Sequence, residues 1–324
     1  MAAILARAGV IATAGKGFSG RRRGNGIVVA AVTKTGAAVP QEGALERPAW
    51  SGETTLSRLV GALIAFKPLY AVLKLASREV IIRTAEKSNI PWREMTKEVL
   101  ESDVYEVFER IQDPNLVYPD YYLNPFHAYD EGNLSWLAAA EAEPATMSIA
   151  KRAIPEATSI EEANQIVRGN WLNVIEEHHL KYSGNCQGLD LSPYFLAVAA
   201  QKEEKLSRPK PIRWVHANGE ATGLSSDSFD LVSLAYVCHE CPARAITGLV
   251  KEAFRVLRPG GTIALTDNSE LSPVLFTLMK STEPFLDEYY MLDLEETMRK
   301  VGFVNVCSVL TDPRHRTVTA TVPY

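Results

Sequence analysis

The chain has 324 residues, enough for one large domain or for a domain with an added helical region. A hydrophobic share of 46% with 23% charged residues is ordinary for a globular protein, and a net charge of −5 argues against a general nucleic-acid binder, which carries a basic surface. Four cysteines (Cys186, Cys238, Cys241 and Cys307) are too few for a disulfide framework in a chain this long and point to a reducing compartment.

Residues 1–41 carry six basic residues (Arg7, Lys16, Arg21, Arg22, Arg23 and Lys34) and no acid before Glu42. An arginine-containing, acid-free leader of small residues reads as a disordered organelle transit peptide. A chloroplast address is expected, with the mitochondrion as the alternative; a disordered tail without an address is the bland reading. Residues 42–54 read as a linker. Residues 55–158 read as a helical extension, with its aromatic block either a lid or irregular packing.

Within that extension, residues 56–85 are expected to be helical. Leu56, Leu59, Val60, Leu63, Ile64, Leu69 and Val72 supply the apolar positions, while Lys67, Pro68 and Lys74 make the run too short and too charged to cross a bilayer. The helix either packs on the main domain or makes peripheral membrane contact. Residues 91–113 are expected as a second helix, with Trp92, Val99, Val104 and Phe108 on its apolar stripe. An aromatic block follows, with Tyr118, Tyr121, Tyr122, Phe126, Tyr129 and Trp136 among prolines. Its punctuation predicts a loop and then short helices, serving either as irregular packing or as a lid over substrate. His127 and Tyr129 are the candidate lid and substrate residues.

Residues 159–324 form the main domain. Ser159 and Glu162 form a capping box at the start of a helix over 159–179. The adjacent His178 and His179 do not share a helical face, which argues against a metal pair. Strand and helix then alternate. Strands are expected over 212–217, 229–236, 262–266, 304–310 and 317–322, and helices over 194–206, 243–257, 270–290 and 292–301. This pattern predicts an α/β, doubly wound parallel sheet that closes with an antiparallel hairpin.

The organising stretch is GLDLSPYFLAVAA over 188–200. Leu189 and Leu191 flank Asp190 at a strand end, Ser192 caps the next helix and Pro193 suits its first position. A carboxylate at the end of a parallel strand is placed to accept both hydroxyl protons of a ribose. Cys238, His239, Glu240 and Cys241 form a C-x-x-C without further ligands at zinc spacing; structural thiols and no metal are expected.

The segments GLDLSPYFLAVA, HANGEATGLSSDSFDLVSLAYVCHECP, EAFRVLRPGGTIALTD and FVNVCSVL with RTVTATV resemble the class I S-adenosylmethionine-dependent methyltransferases with a Rossmann-like fold. The nearest likeness is to the type 11-like subgroup that methylates small molecules such as quinones, in its plastid-type plant members. The resemblance implies S-adenosyl-L-methionine as cofactor and a small, lipophilic acceptor as partner, with no nucleic acid. It implies that Asp190 binds the ribose with Leu191 against the adenine. Asn218, Gly219 and Glu220 would sit at the adenine edge, and Ala235 and Tyr236 would face the methionine part. His239 stands where the subgroup often has a histidine before a helix. The reaction needs alignment and exclusion of water rather than a protein nucleophile, so no catalytic base is assigned.

One family motif has no counterpart. The acid-ended strand and D-x-G-x-G-x-G loop belong about 20 residues before the ribose acid, where this chain has the helix over 159–179. Asp190 follows Lys181 by only nine residues, while a strand, loop, helix and second strand need roughly 25–30. The first strand is therefore expected to be missing as a block, leaving its neighbours without a ladder partner and weakening cofactor binding. A non-catalytic remnant or isoform acting through protein partners is the alternative reading. A nicotinamide-dependent oxidoreductase lacks the same glycines and leaves RVLRPGG unexplained.

Overall fold

The computed structural model describes residues 11–13, 48–51, 54–127, 129–176, 186–206 and 212–324. The other residues of the leader, the pair His178 and His179, and the segment from Lys181 to Asn185 lie outside the described residues. Strands β1 (Ile11–Thr13), β2 (Cys186–Asp190), β3 (Arg213–His216), β4 (Phe229–Ala235), β5 (Leu257–Asn268), β6 (Val304–Asp312) and β7 (His315–Thr321) form one sheet in the order β3-β2-β1-β4-β5-β7-β6. β2 runs parallel to β3 and β4 parallel to β5. β6 and β7 form the expected antiparallel hairpin, with β7 antiparallel to β5.

The slot between β2 and β4, where the sequence lacks a strand, holds β1. It is antiparallel to both neighbours, with Ala12 opposite Gln187 and Val232. Three residues of the leader therefore form a strand rather than disordered chain. An unpaired edge on both sides of a gap is costly, because buried N–H and C=O groups need partners. β1 supplies them only along the first half of β2.

The central strands are buried because they carry helices on their faces. In β4, Phe229, Leu231, Val232 and Leu234 are all buried. Helix α8 (Ala243–Val256) lays Ile246, Leu249, Val250 and Ala253 into the core shared with β4 and β5. After α8 the chain turns through Gly260, whose φ of 79° suits glycine alone. β5 starts earlier than the sequence predicts, at Leu257, and its register against β4 shifts between Phe229 and Leu231.

The helical extension shares a core with this sheet. Its helices are α1 (Thr55–Ala65), α2 (Lys67–Lys87), α3 (Trp92–Leu100), α4 (Val104–Ile111) and α5 (Trp136–Ala153). Each long helix expected before the aromatic block is broken in two, at Phe66 and at Glu101–Asp103. The short helices expected after the block are instead one helix, α5, which runs through Pro144. Helix α6 (Ile160–Glu176) follows, and the Ser159 hydroxyl accepts from the Glu162 N–H at 3.0 Å as the capping box requires. The Glu162 carboxylate reaches back to the Thr158 N–H at 2.6 Å, one residue earlier than the simplest box.

Helix α7 (Pro193–Leu206) joins the layers: Phe195, Ala197 and Val198 pack into the same cluster as Trp92, Val104, Val107 and the α5 alanines. Glu141 on α5 ties that cluster together. Its carboxylate is 2% exposed and accepts from Tyr129 Oη at 2.5 Å, from Trp92 Nε1 at 3.0 Å and from Arg78. Helices α9 (Pro273–Lys280), α10 (Leu286–Met291) and α11 (Leu294–Val301) complete the chain before the hairpin.

His216, at the end of β3, fastens the extension to the sheet. Nδ1 accepts from the Asp113 N–H at 2.8 Å, so Nε2 carries the proton and donates to the Leu191 carbonyl at 3.1 Å. Burial lowers its pKa, opposed by the Leu191 carbonyl and Asp113. With the folded value depressed, the unfolded chain takes up the proton first. The histidine's contribution is complete above about pH 6.5 and is lost as pH falls below it. His216→Gln is expected to destabilise the chain by about 1–3 kcal/mol at pH 7.5. Urea unfolding between pH 7.5 and 5 is expected to give the variant a shallower loss of stability than the parent; equal slopes would contradict this role.

Candidate functional site

The C-terminal ends of β2, β3 and β4 open into a cleft lined by apolar and aromatic side chains with a few polar groups, the make-up of a small-molecule site. Asp190 lies on its wall and is 5% exposed. The Ser192 N–H donates to Asp190 Oδ1 at 2.8 Å, which fixes the carboxylate at the strand end. The Ser192 hydroxyl caps α7 through the Phe195 N–H at 3.4 Å and donates to the Asn133 carbonyl at 2.7 Å. The strand end and the aromatic segment are thereby held together.

Leu191, Asn218 and Gly219 line the cleft beside Asp190. Asn218 closes a tight turn, its Oδ1 accepting from the Glu220 N–H at 2.9 Å. A Cβ at Gly219 would stand 2.7 Å from Leu249 Cδ2, so a side chain in this turn would have to displace the leucine methyl. Glu220, the fourth residue of that set, points elsewhere. Its carboxylate accepts from Tyr121 Oη at 2.8 Å and fills the space beside Gly248 on α8. It holds the outside of a ring whose other side lines the cleft.

At the end of β4, Leu234 and Val237 line the cleft, whereas Ala235 and Tyr236 do not. Tyr236 has a φ of 59°, an uncommon conformation for a residue with a side chain. Its ring lies edge-on to His315 at 5.0 Å, toward β7. Of the lid candidates, Tyr129 is committed to Glu141 in the helical core. His127 has a φ of 47°, and its imidazole packs 6.3 Å from the ring of His239. The cleft-facing aromatics of the block are Tyr121, Tyr122 and Phe126, with Phe285 and Pro284 opposite. The composition of the block left packing and a lid equally open, and did not show which rings face inward.

The turn after β4 is organised by Asp267, the penultimate residue of β5 and fully buried. Its carboxylate accepts from the Cys238 N–H at 2.8 Å, the His239 N–H at 3.3 Å, the Asn268 N–H at 2.7 Å and His239 Nδ1 at 2.7 Å. Burial opposes the charge on Asp267, but His239 outweighs it and holds the carboxyl below its usual range. For His239 burial again opposes the charge. Asp267, with Glu283 and Glu240, outweighs it and raises the imidazole to about 10.

Burial pushes the Glu240 carboxyl well up, although Asn133 Nδ2 donates to it at 2.7 Å. Burial also pushes up the thiols of Cys238 and Cys241, which sit in the apolar core. Glu283, fully buried beside His127, was not marked by any sequence pattern.

Residues 168–265 match the family described as "Methyltransferase domain". The matched region contains β2, Asp190, the Asn218 turn and β4. This region is similar to a methyltransferase domain. The chain is similar to the demethylmenaquinone methyltransferase of Lactococcus lactis, 30% identical over 43% of this chain and 63% of that one. A second relative is the mitochondrial 2-methoxy-6-polyprenyl-1,4-benzoquinol methylase of Caenorhabditis elegans, 32% identical over 34% of this chain and 42% of that one. The chain thus spans less than two thirds of either relative. The crystal structure of human N-acetylserotonin methyltransferase in complex with SAM aligns at 15% identity with a TM-score of 0.41, covering 68% of this chain and 66% of that one.

The Asp267 carboxylate is expected to be indispensable to the fold at the cleft. Asp267→Asn keeps the volume but turns an amide N–H toward backbone N–H donors and takes away the carboxylate that holds His239 Nδ1. A loss of about 3–5 kcal/mol is expected in urea unfolding. A loss within experimental error would show that the turn after β4 is held by other contacts.

Proposed function

We propose that the chain binds the adenosyl half of S-adenosylmethionine at the end of β2 and takes a small, lipophilic, quinone-like methyl acceptor in the aromatic part of the same cleft. The observation that carries this reading is a single cleft lined both by a buried carboxylate, Asp190, and by Tyr121, Tyr122, Phe126 and Phe285. The names of the two quinone methyltransferase relatives favour the same acceptor class. Asp190 would hold the ribose, Leu191 would cover the adenine, and Asn218 and Gly219 would face its edge. The cofactor brings a methyl group already activated by its sulfonium. The residues of the chain orient the two partners and keep water out.

The fit is good on the adenosine side and poor on the methionine side. The pairing of β1 with β2 ends at Gln187, and its pairing with β4 ends at Ser233. Gly188–Asp190 and Leu234–Ala235 therefore extend past β1 toward the cleft. A parallel strand followed by a glycine loop would place backbone N–H groups there; an antiparallel three-residue strand does not. This observation favours a second reading, a methyltransferase-like remnant that acts through protein partners. The two readings part on affinity. Calorimetric and thermal-shift titration of the full chain with S-adenosylmethionine is expected to give a dissociation constant weaker than ~100 μM, worth under about 6 kcal/mol, and Asp190→Ala is expected to weaken it at least ~10-fold further. Micromolar binding would overturn the inferred loss of the methionine wall. No binding at all would favour the remnant.

We further propose peripheral membrane contact through α1, where a lipophilic acceptor would be found. Leu56, Leu59, Leu63 and Phe66 are 41–62% exposed, and their spacing places them along one side of the helix. The opposite side reaches α9, with Gly61 next to Thr277. No helix among the described residues is long and apolar enough to cross a membrane. An exposed apolar stripe on a surface helix suits the headgroup boundary. In co-sedimentation with vesicles containing anionic lipid, Leu59→Glu with Leu63→Glu is expected to lower the bound fraction at least ~5-fold. An unchanged fraction would remove α1 as the contact.

A further inference from the structure

Three buried side chains and the half-buried Glu240, from three separate segments, meet at the wall of the cleft. His127 comes from the aromatic segment, His239 and Glu240 from the turn after β4, and Glu283 from the turn between α9 and α10. Ligand atoms of His127, His239 and Glu240 lie within 4.8 Å of one another. Glu283 Oε1 is 3.3 Å from His127 Nε2, without the geometry of a hydrogen bond. The side chains of His127 and Glu283 are 1% and 0% exposed. Among the described residues, both ring nitrogens of His127, both oxygens of Glu283 and Oε1 of Glu240 have no hydrogen-bond partner.

A buried polar atom without a partner costs about 1–3 kcal/mol, and more when charged. Native structures hold few such atoms; here five lie on three neighbouring side chains, with His127 close to both Glu283 and Glu240. Their chemistry is uniform: imidazole nitrogens and carboxylate oxygens, the donor set of zinc and manganese sites. The surroundings are arranged for ligation as well. Asp267 holds His239 Nδ1 at 2.7 Å and so directs Nε2 outward, the way a carboxylate orients a metal-bound histidine. Asn133 occupies Glu240 Oε2 and leaves Oε1 as the donor. The His127 N–H donates to the Thr282 carbonyl at 3.3 Å, next to Glu283, and the backbone at His127 is held at a positive φ. Left-handed residues with side chains persist where the surroundings over-determine them, and they cluster at functional sites.

We propose that His127, His239, Glu240 and Glu283 bind one first-row divalent cation. The donor atoms draw inward on binding, since metal–ligand bonds of about 2.0–2.2 Å hold them closer than they stand here. The ion fastens the aromatic segment to the sheet at the wall of the cleft that Glu240 lines. It leaves Cys238 and Cys241 out, although their spacing is the one that suggests a metal in the sequence.

The test uses the full chain, stripped with a chelator and titrated with Zn²⁺ and with Mn²⁺ by calorimetry and thermal unfolding. Absorption spectra are then recorded with Co²⁺. One equivalent of at least one metal is expected to bind and to raise the melting temperature. The Co²⁺ spectrum is expected to lack thiolate-to-metal charge transfer. His127→Ala and Glu283→Gln are expected to weaken binding at least ~10-fold, while Cys238→Ser with Cys241→Ser leaves it unchanged. Absence of binding by all three metals, a thiolate band, or undiminished binding by folded His127→Ala and Glu283→Gln chains would each overturn the proposal. Far-UV circular dichroism establishes folding; where a variant does not fold, the stoichiometry and Co²⁺ spectrum of the parent decide.

Discussion

The carboxylate of Asp267 is the constraint on which the cleft depends. A fully buried anion is tolerable only when its oxygens are filled, and Asp267 accepts from three backbone amides and one imidazole. Those donors all belong to the stretch after β4 or to β5 itself. The chain leaving β4 has to wrap around the end of β5, which it does through the left-handed residue Tyr236. That wrap sends the Tyr236 ring toward His315 and turns Val237 and Glu240 into the cleft. It also fixes the ring of His239. One acid at a strand end thus sets the positions of five consecutive residues and decides which of them face the site.

The two halves of the cleft have different histories of support. On the adenosine side, Asp190 is held by the Ser192 amide, Ser192 by Asn133, and the neighbouring β3 end by His216. The aromatic segment and α4 are therefore bolted to β2 and β3 through buried hydrogen bonds rather than through surface ion pairs, which contribute little. On the other side, the slot between β2 and β4 is filled by three residues running the wrong way. A strand in this slot pairs with its neighbours irrespective of its direction, here along the first half of β2, which answers part of the need to pair buried backbone. Direction matters only for what the strand delivers to the cleft. The sheet is completed where pairing demands it and left open where cofactor recognition demands more.

Much of this was readable in the residues. The alternation of strand and helix, the hairpin and the position of Asp190 follow from hydrophobic period and turn chemistry, both local signals. The breaks at Phe66 and Glu101–Asp103 were not readable, because the apolar stripes continue across them. Helix α5 runs through Pro144 because its surroundings override the local preference against proline. Within the site, Asp190, Leu191, Asn218 and Gly219 were expected at the cofactor edge and do line one cleft. Tyr129 was expected at a lid, and its hydroxyl lies instead on Glu141, 12 residues later on another element. Glu220 likewise serves Tyr121, 99 residues away in the chain. These partnerships are long-range, and no periodicity encodes them. The same holds for Glu283, whose neighbour His127 arrives from the far side of the domain.

Glu141 and Glu283 give the sharpest contrast within the molecule. Both are buried glutamates beside residues of the aromatic segment. Glu141 receives a phenol, an indole N–H and a guanidinium, so its oxygens are filled and it acts as a fastener between α2, α3 and α5. Glu283 has His127 Nε2 beside it at 3.3 Å, and neither side chain has a hydrogen bond among the described residues. A chain that wanted only to fasten this segment has in Glu141 a working solution with neutral and cationic donors. Two carboxylates and two imidazoles left facing one another are poor fasteners by themselves, since their like charges and empty lone pairs oppose burial. They become good ones around a cation, which neutralises both carboxylates and takes up the imidazole lone pairs at once.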